Sequence, residues 1–187
     1  MATRVEPMKF RKIKLPSGQI FDVPQGIQRI DSQSTHGWQV RCQGTKLFSD
    51  GESANAQQSL TNAMNELLAR MKAMPPLVAL QNGPSIHKTS DLPAGISGPI
   101  IKFRPGRAPI AELSVLLPRL GHQAKVKSIY IGSQNTYTAA RYLAALAKGI
   151  ELRKVALDCY EEDAKKAHKQ NIKALKAQLS SLRSQQG

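Results

Sequence analysis

Between His36 and Leu68 the side-chain pattern changes period, and that change fixes what this part of the chain can become. Over Gly37-Trp38-Gln39-Val40-Arg41-Cys42-Gln43 apolar and polar residues alternate. A strand here puts Trp38, Val40 and Cys42 on one face and Gln39, Arg41 and Gln43 on the other. Gly44-Thr45 offers a turn, and Lys46-Leu47-Phe48 can pair back as the next strand. From about Ala54 to Met74 the period lengthens: Ala56, Leu60, Ala63, Met64, Leu67, Leu68 and Met71 recur at helical spacing before Pro75-Pro76 ends the run. A strand pair with one apolar face needs a cover, and this helix supplies it. The polar face stays open and carries arginine, lysine and amides, the side chains suited to DNA bases and phosphates.

Upstream, residues 8–24 read as a hairpin about Pro16-Ser17-Gly18, and Gly26 to Asp31 as a further strand. The spacing of Ile27 and Ile30 leaves open whether Gln28 or Arg29 points outward. Downstream, several prolines and glycines over residues 75–99 read as an irregular connection. A second strand-helix pattern then follows. Pro99 to Arg104 is a strand with Ile101 and Phe103 inward and Lys102 and Arg104 outward. Ile110 to Leu117 alternates Ala111, Leu113 and Val115 against Glu112 and Ser114, and Lys125 to Ile131 pairs back. Its helix starts near Asn135-Thr136, a plausible cap.

The order of elements therefore repeats at a distance of roughly 80 residues, an internal duplication of pattern. The expected fold is α+β: two small units, each a three-stranded antiparallel sheet packed on a helix, with an N-terminal hairpin and a long C-terminal helix. The boundaries fall at 1–24 for the basic hairpin, 25–75 for the first unit, 76–98 for the linker, 99–149 for the second unit and 150–187 for the charged helix. On that last helix Ile172, Leu175, Leu179 and Leu182 follow the 3-4-3 spacing of a short coiled-coil seam. The seam serves either a homodimer or packing on the chain's own domain.

Charge narrows the partner. The 187 residues carry 27 Lys and Arg against 13 Asp and Glu, a formal net charge of +14, which points to a polyanion. Residues 76–149 are the most one-sided part, with Asp91 and Glu112 their only acids. Lys102, Arg104, Arg107, Lys125 and Lys127 together make a candidate phosphate-gripping surface there. Aromatic residues are only 5% of the chain, which argues against a stacking platform for single strands.

At His36-Gly37-Trp38-Gln39-Val40-Arg41 and Lys46-Leu47-Phe48-Ser49-Asp50-Gly51-Glu52, followed by the helix, the chain resembles the Apetala-two/ERF type of DNA-binding domain. Plant ethylene-response factors carry this domain, and shorter bacterial and phage relatives show a similar Gly-Trp and Phe-Ser-Asp pattern. The stretch Ala111 to Val115, then Tyr130-Ile131-Gly132 and Asn135 to Thr138, looks like a more divergent second copy. The resemblance implies a three-stranded sheet lying in the DNA major groove, with outward strand residues making the contacts. Carried over by position, these are Gln28 or Arg29 on the first strand, Arg41 and Gln43 on the second, and Lys46 with Phe48 on the third. In the second copy they are Lys102 and Arg104, then Glu112 and Ser114, then Ser128 and Tyr130. The run of arginines on the first strand of the plant pattern and its Trp-Leu-Gly on the third are missing, which bears on base specificity more than on fold.

Catalysis finds no footing in the residues. His36, His87, His122 and His168 are scattered, and no phosphate loop, nucleophile elbow or dinucleotide turn occurs. Cys42 and Cys159 lie too far apart in sequence for a zinc ribbon or a disulfide framework, so neither metal nor cofactor is expected. Trp38 reads as core, because it shares a face with Val40 and Cys42. The expectation is a non-enzymatic, cytoplasmic binder of double-stranded DNA without a membrane partner, a transcriptional regulator or an architectural factor. The rivals are an RNA- or ribosome-associated basic protein and a phage factor that binds a host protein.

Overall fold

The computed structural model describes residues 8–53, 55–74 and 90–184. One compact unit lies within Val5–Leu77 together with Lys165–Gly187, and the other within Val78–Ala164. Most of the connection placed at 76–98 lies outside the described residues.

In the first unit β1 (Phe10–Lys14) and β2 (Ile20–Pro24) form the antiparallel hairpin expected at 8–24. Its turn closes through the Leu15 amide on the Gln19 carbonyl at 2.8 Å. A three-stranded antiparallel sheet follows in the order β3 (Ile27–Asp31), β4 (His36–Val40), β5 (Lys46–Ser49). Helix α1 (Ala56–Ala73) covers one face of it. Asn55 caps the helix, its side chain accepting from the Gln58 amide at 2.8 Å, which satisfies one of the unpaired donors of the first turn. The core joins Ile27, Trp38 and Val40 of the sheet to Leu60, Ala63, Met64 and Leu67 of α1.

Two segments read as separate pieces are built into that same core. Leu15, Phe21 and Val23 bring in the hairpin, and Leu175, Leu179 and Leu182 bring in the C-terminal helix. The leucines of the candidate coiled-coil seam are thus buried against their own unit, which is the second of the two uses open to them.

The second unit has the sheet order β6 (Ile96–Arg104), β7 (Arg107–Leu117), β8 (Lys125–Ser133), again antiparallel. Helix α2 (Ala139–Ser184) backs it through Ala145, which packs with Ile96, Leu113, Val115, Ile129 and Ile131. The helix does not break at residue 150. Gly149 is an interior helical residue whose missing side chain lets α2 lie close to the sheet, since a Cβ there would meet Val115 Cγ2 at 3.2 Å. The start also differs from expectation. The Thr138 hydroxyl accepts from the Arg141 amide, whereas the Thr136 hydroxyl turns back to the Ser133 amide at 2.9 Å. Among the described residues no helix is long and apolar enough to cross a membrane.

Candidate nucleic-acid interface

Facing follows from register, because residues directly opposite in an antiparallel pair share a face. Ile27 pairs with Val40, Arg29 with Trp38, and Gln28 with Gln39. Since Trp38 and Val40 are buried under α1, Arg29 lies on the covered side and Gln28 on the open side. On the third strand Phe48 lies opposite Trp38 and Lys46 opposite Val40. Both therefore project toward the helix, and Leu47 takes the outward place. Arg29, Lys46 and Phe48 are thereby removed from the proposed contact face. Gln43 leaves it too: its φ is 52°, and it sits in the turn that reverses the chain into β5.

Each displaced residue has a structural task. The Arg29 side chain is only 10% exposed and lies 5.0 Å over the Trp38 ring. It grips Asp50 at 2.7 Å and Asp31 at 2.8 Å, while the Ser59 hydroxyl donates to Asp50. Such forked, charge-assisted pairs are strong and fix geometry. Burial pulls the guanidinium pKa down, but hydrogen bonds to Asp50 and then Asp31 outweigh it and hold the value above ordinary arginine. The Arg29 hydrogen bond holds Asp31 below the usual carboxylate range. For Asp50 burial acts upward, and the bonds from Arg29 and Ser59 overcome it, so this pKa is lowered as well. Lys46 reaches Glu66 at 3.2 Å and lies over the Phe48 ring. Glu66 also holds Arg70 at 2.8 Å, and the Arg70 guanidinium donates to the carbonyls of Cys42, Gln43 and Gly44, clamping the turn.

Acid should therefore loosen the first unit. Carboxylates with depressed folded pKa values stabilise above their unfolded value, about 3.9 for Asp, and that contribution is lost as pH falls through the folded value. Urea unfolding at neutral pH and near pH 3 measures the loss. It should be visibly smaller in a variant carrying Asp31→Asn and Asp50→Asn, because those groups no longer titrate.

What remains on the open face of the first sheet is Gln28, Gln39 and Arg41. The Arg41 amide continues the ladder by donating to the Gly26 carbonyl at 2.8 Å, and its Nε donates to Gln39 Oε1 at 2.6 Å. The amide of Gln39 thus holds the Nε side of an exposed guanidinium. No core residue comes from this face.

In the second unit the anticipated outward row Lys102, Glu112, Ser114, Ser128, Tyr130 does share one face, by the pairings of Glu112 with Tyr130 and Ser114 with Ser128. Lys102 is tied to Glu112 at 2.5 Å, and that hydrogen bond keeps the Glu112 pKa low. Ile101 and Phe103, read as inward, are 61% and 82% exposed. Arg104 and Arg107 lie opposite each other at the β6–β7 turn.

Lys127 pairs with Val115 and Lys125 with Leu117, so both lie on the helix side of the edge strand β8. There Lys127 joins Arg141 and Lys148 in lining a groove of about 390 Å³ along Ser128 to Ile131, and among the described residues no carboxylate lines it. Lys125 lines a separate groove with Arg119, His122 and Asp163. Arg141 and Lys148 were not singled out from the sequence. Their seven-residue spacing puts them on one helix face, but nothing in the order of residues ties that face to Lys127.

Among the described residues no cluster of three His, Cys, Asp or Glu side chains is placed to hold a metal ion. Comparison of the chain with protein-family models, with curated proteins and with solved structures finds no match.

Proposed function

We propose that this protein binds double-stranded DNA without acting on it chemically, as a transcriptional regulator or architectural factor. The observation that carries the reading is the groove between β8 and α2, which Lys127, Arg141 and Lys148 line together and which no acid lines among the described residues. Three cations along one groove, with no ion pair to any of them among the described residues, favour a polyanion such as a phosphate backbone. The open face of the first sheet supports it. Arg41, held by Gln39, and Gln28 on the same face are the side-chain types that read guanine and adenine edges in the major groove. The two units thus contribute different surfaces, an open sheet face in the first and a groove beside the edge strand in the second.

Selection of bound sequences from random duplexes, followed by titration of the selected site, tests the reading. Arg41→Ala should weaken binding to the selected site by about 1–3 kcal/mol and relax preference at one position, the signature of a base contact. Equal affinity of wild type and variant for every duplex would remove Arg41 from the interface. Preference for structured RNA over duplex DNA in the same titration would favour the ribonucleoprotein rival, because an A-form major groove is too narrow for side chains to read.

A further inference from the structure

The end of the second unit's sheet carries a feature that neither phosphate binding nor sheet-face readout uses. The last pairing of β8 sets Ser133 opposite Ile110, and the Gln134 amide reaches the Pro109 carbonyl. Beyond that point β6 and β7 have only each other and close as a ribbon through Pro105-Gly106, with Gly106 at a φ of 66°. Phe103 stands on this ribbon at 82% exposure, the highest of the large apolar residues among those described. Behind it Pro99, Ile101, Pro109 and Tyr137 continue an apolar groove of about 620 Å³. Large exposed apolar surface of this kind marks a binding site.

Charge decides the occupant. Residues 96–111 contain Lys102, Arg104 and Arg107 and no acid. Lys102 is engaged by Glu112, while among the described residues neither arginine at the turn is in an ion pair. An acidic protein surface would satisfy the arginines but would leave an aromatic ring against charge. Duplex DNA offers both chemistries within a few ångströms: anionic edges outside and stacked apolar base faces inside. Proteins that bend DNA insert apolar side chains between base pairs from the minor groove, and arginines beside them follow its negative potential.

We infer that the β6–β7 ribbon is a DNA-deforming wedge, in which Phe103 enters a base step from the minor groove while Arg104 and Arg107 hold its rim. This rests on the DNA-binding reading and adds a mechanical output to it. The step that opens is a flexible pyrimidine–purine step, where unstacking costs least.

The test uses the full chain and a duplex with 2-aminopurine beside a central TA step and a donor–acceptor dye pair at its ends, read at saturating protein. Wild type should raise the aminopurine fluorescence and shorten the end-to-end distance. Phe103→Ala should lose most of both responses yet bind within about threefold of wild type, because phosphate contacts supply most of the affinity. Phe103→Leu, which keeps an apolar wedge, should retain them. A bound wild type with silent aminopurine, or a Phe103→Ala variant that responds as wild type does, overturns the wedge and leaves DNA binding standing. A wild type that does not bind the duplex overturns both. Self-association of wild type that Phe103→Ala abolishes, without a duplex response, assigns the patch to a second copy of the chain and also overturns the wedge.

Discussion

Trp38→Ala should remove about 3–5 kcal/mol from the first unit, the usual cost of emptying a large aromatic site in a close-packed core. Trp38 is fully buried, and four separate interactions end with it. Its ring meets Phe21 edge-on at 5.9 Å, which ties the hairpin to the sheet. Arg29 lies over its face. Its indole N–H donates to the Ala56 carbonyl at 2.7 Å, joining β4 to the start of α1. The rest of its surface fills the space between sheet and helix. Small domains are stable by only about 5–15 kcal/mol, so the loss takes a large part of what the unit has. Trp38→Phe separates the contributions: it keeps an apolar ring but deletes the N–H, and should cost about 1–2 kcal/mol. Denaturant unfolding followed by circular dichroism checks both, since the chain's one tryptophan cannot serve as a fluorescent reporter in these variants. Equal stability of Trp38→Ala and wild type would mean that the core is held elsewhere.

The architecture was legible because it rests on local periodicity. The alternation through Trp38 and Val40, the helical spacing of Leu60, Ala63, Met64 and Leu67, and the alternation through Leu113 and Val115 each specify an element and its buried face. The facing of β5 was not legible, for a physical reason. A two-residue turn at Gly44-Thr45 would set Gln43 opposite Lys46. Instead Val40 lies opposite Lys46, and five residues make the connection. The difference in register is odd, so every β5 side chain changes face. What holds the longer turn is Arg70, whose guanidinium takes three carbonyls from a position 26–28 residues away in sequence. No local rule connects those residues.

Arg29 was hidden in the same way. A basic residue on an apolar strand face reads as solvent-facing until a carboxylate is supplied from elsewhere. Asp50, 21 residues further along the chain, is that carboxylate. The boundary at 149/150 set the highly charged C-terminal segment apart, whereas α2 runs straight through it and Gly149 brings helix and sheet together. Of the candidate contacts, the outward place of Arg41 came from alternation alone, whereas the grouping of Lys127 with Arg141 and Lys148 needed the packing of α2 on β8.

That grouping carries the second large effect. Replacing Lys127, Arg141 and Lys148 together by alanine should weaken binding to all duplexes alike, because cations that meet phosphates contribute affinity without reading sequence. The variant should fold. Lys127 and Lys148 are exposed, and the Arg141 side chain donates to a backbone carbonyl, that of Thr136.

The decisive measurement is the slope of log affinity against log salt concentration for wild type and for this triple variant on the same duplex. Each phosphate contact contributes about 0.9 to the slope, so a steep wild-type dependence should become shallower by roughly 3 in the variant. A wild-type affinity indifferent to salt, or a triple variant with an unchanged slope, would contradict the claim that this basic groove holds the phosphate backbone.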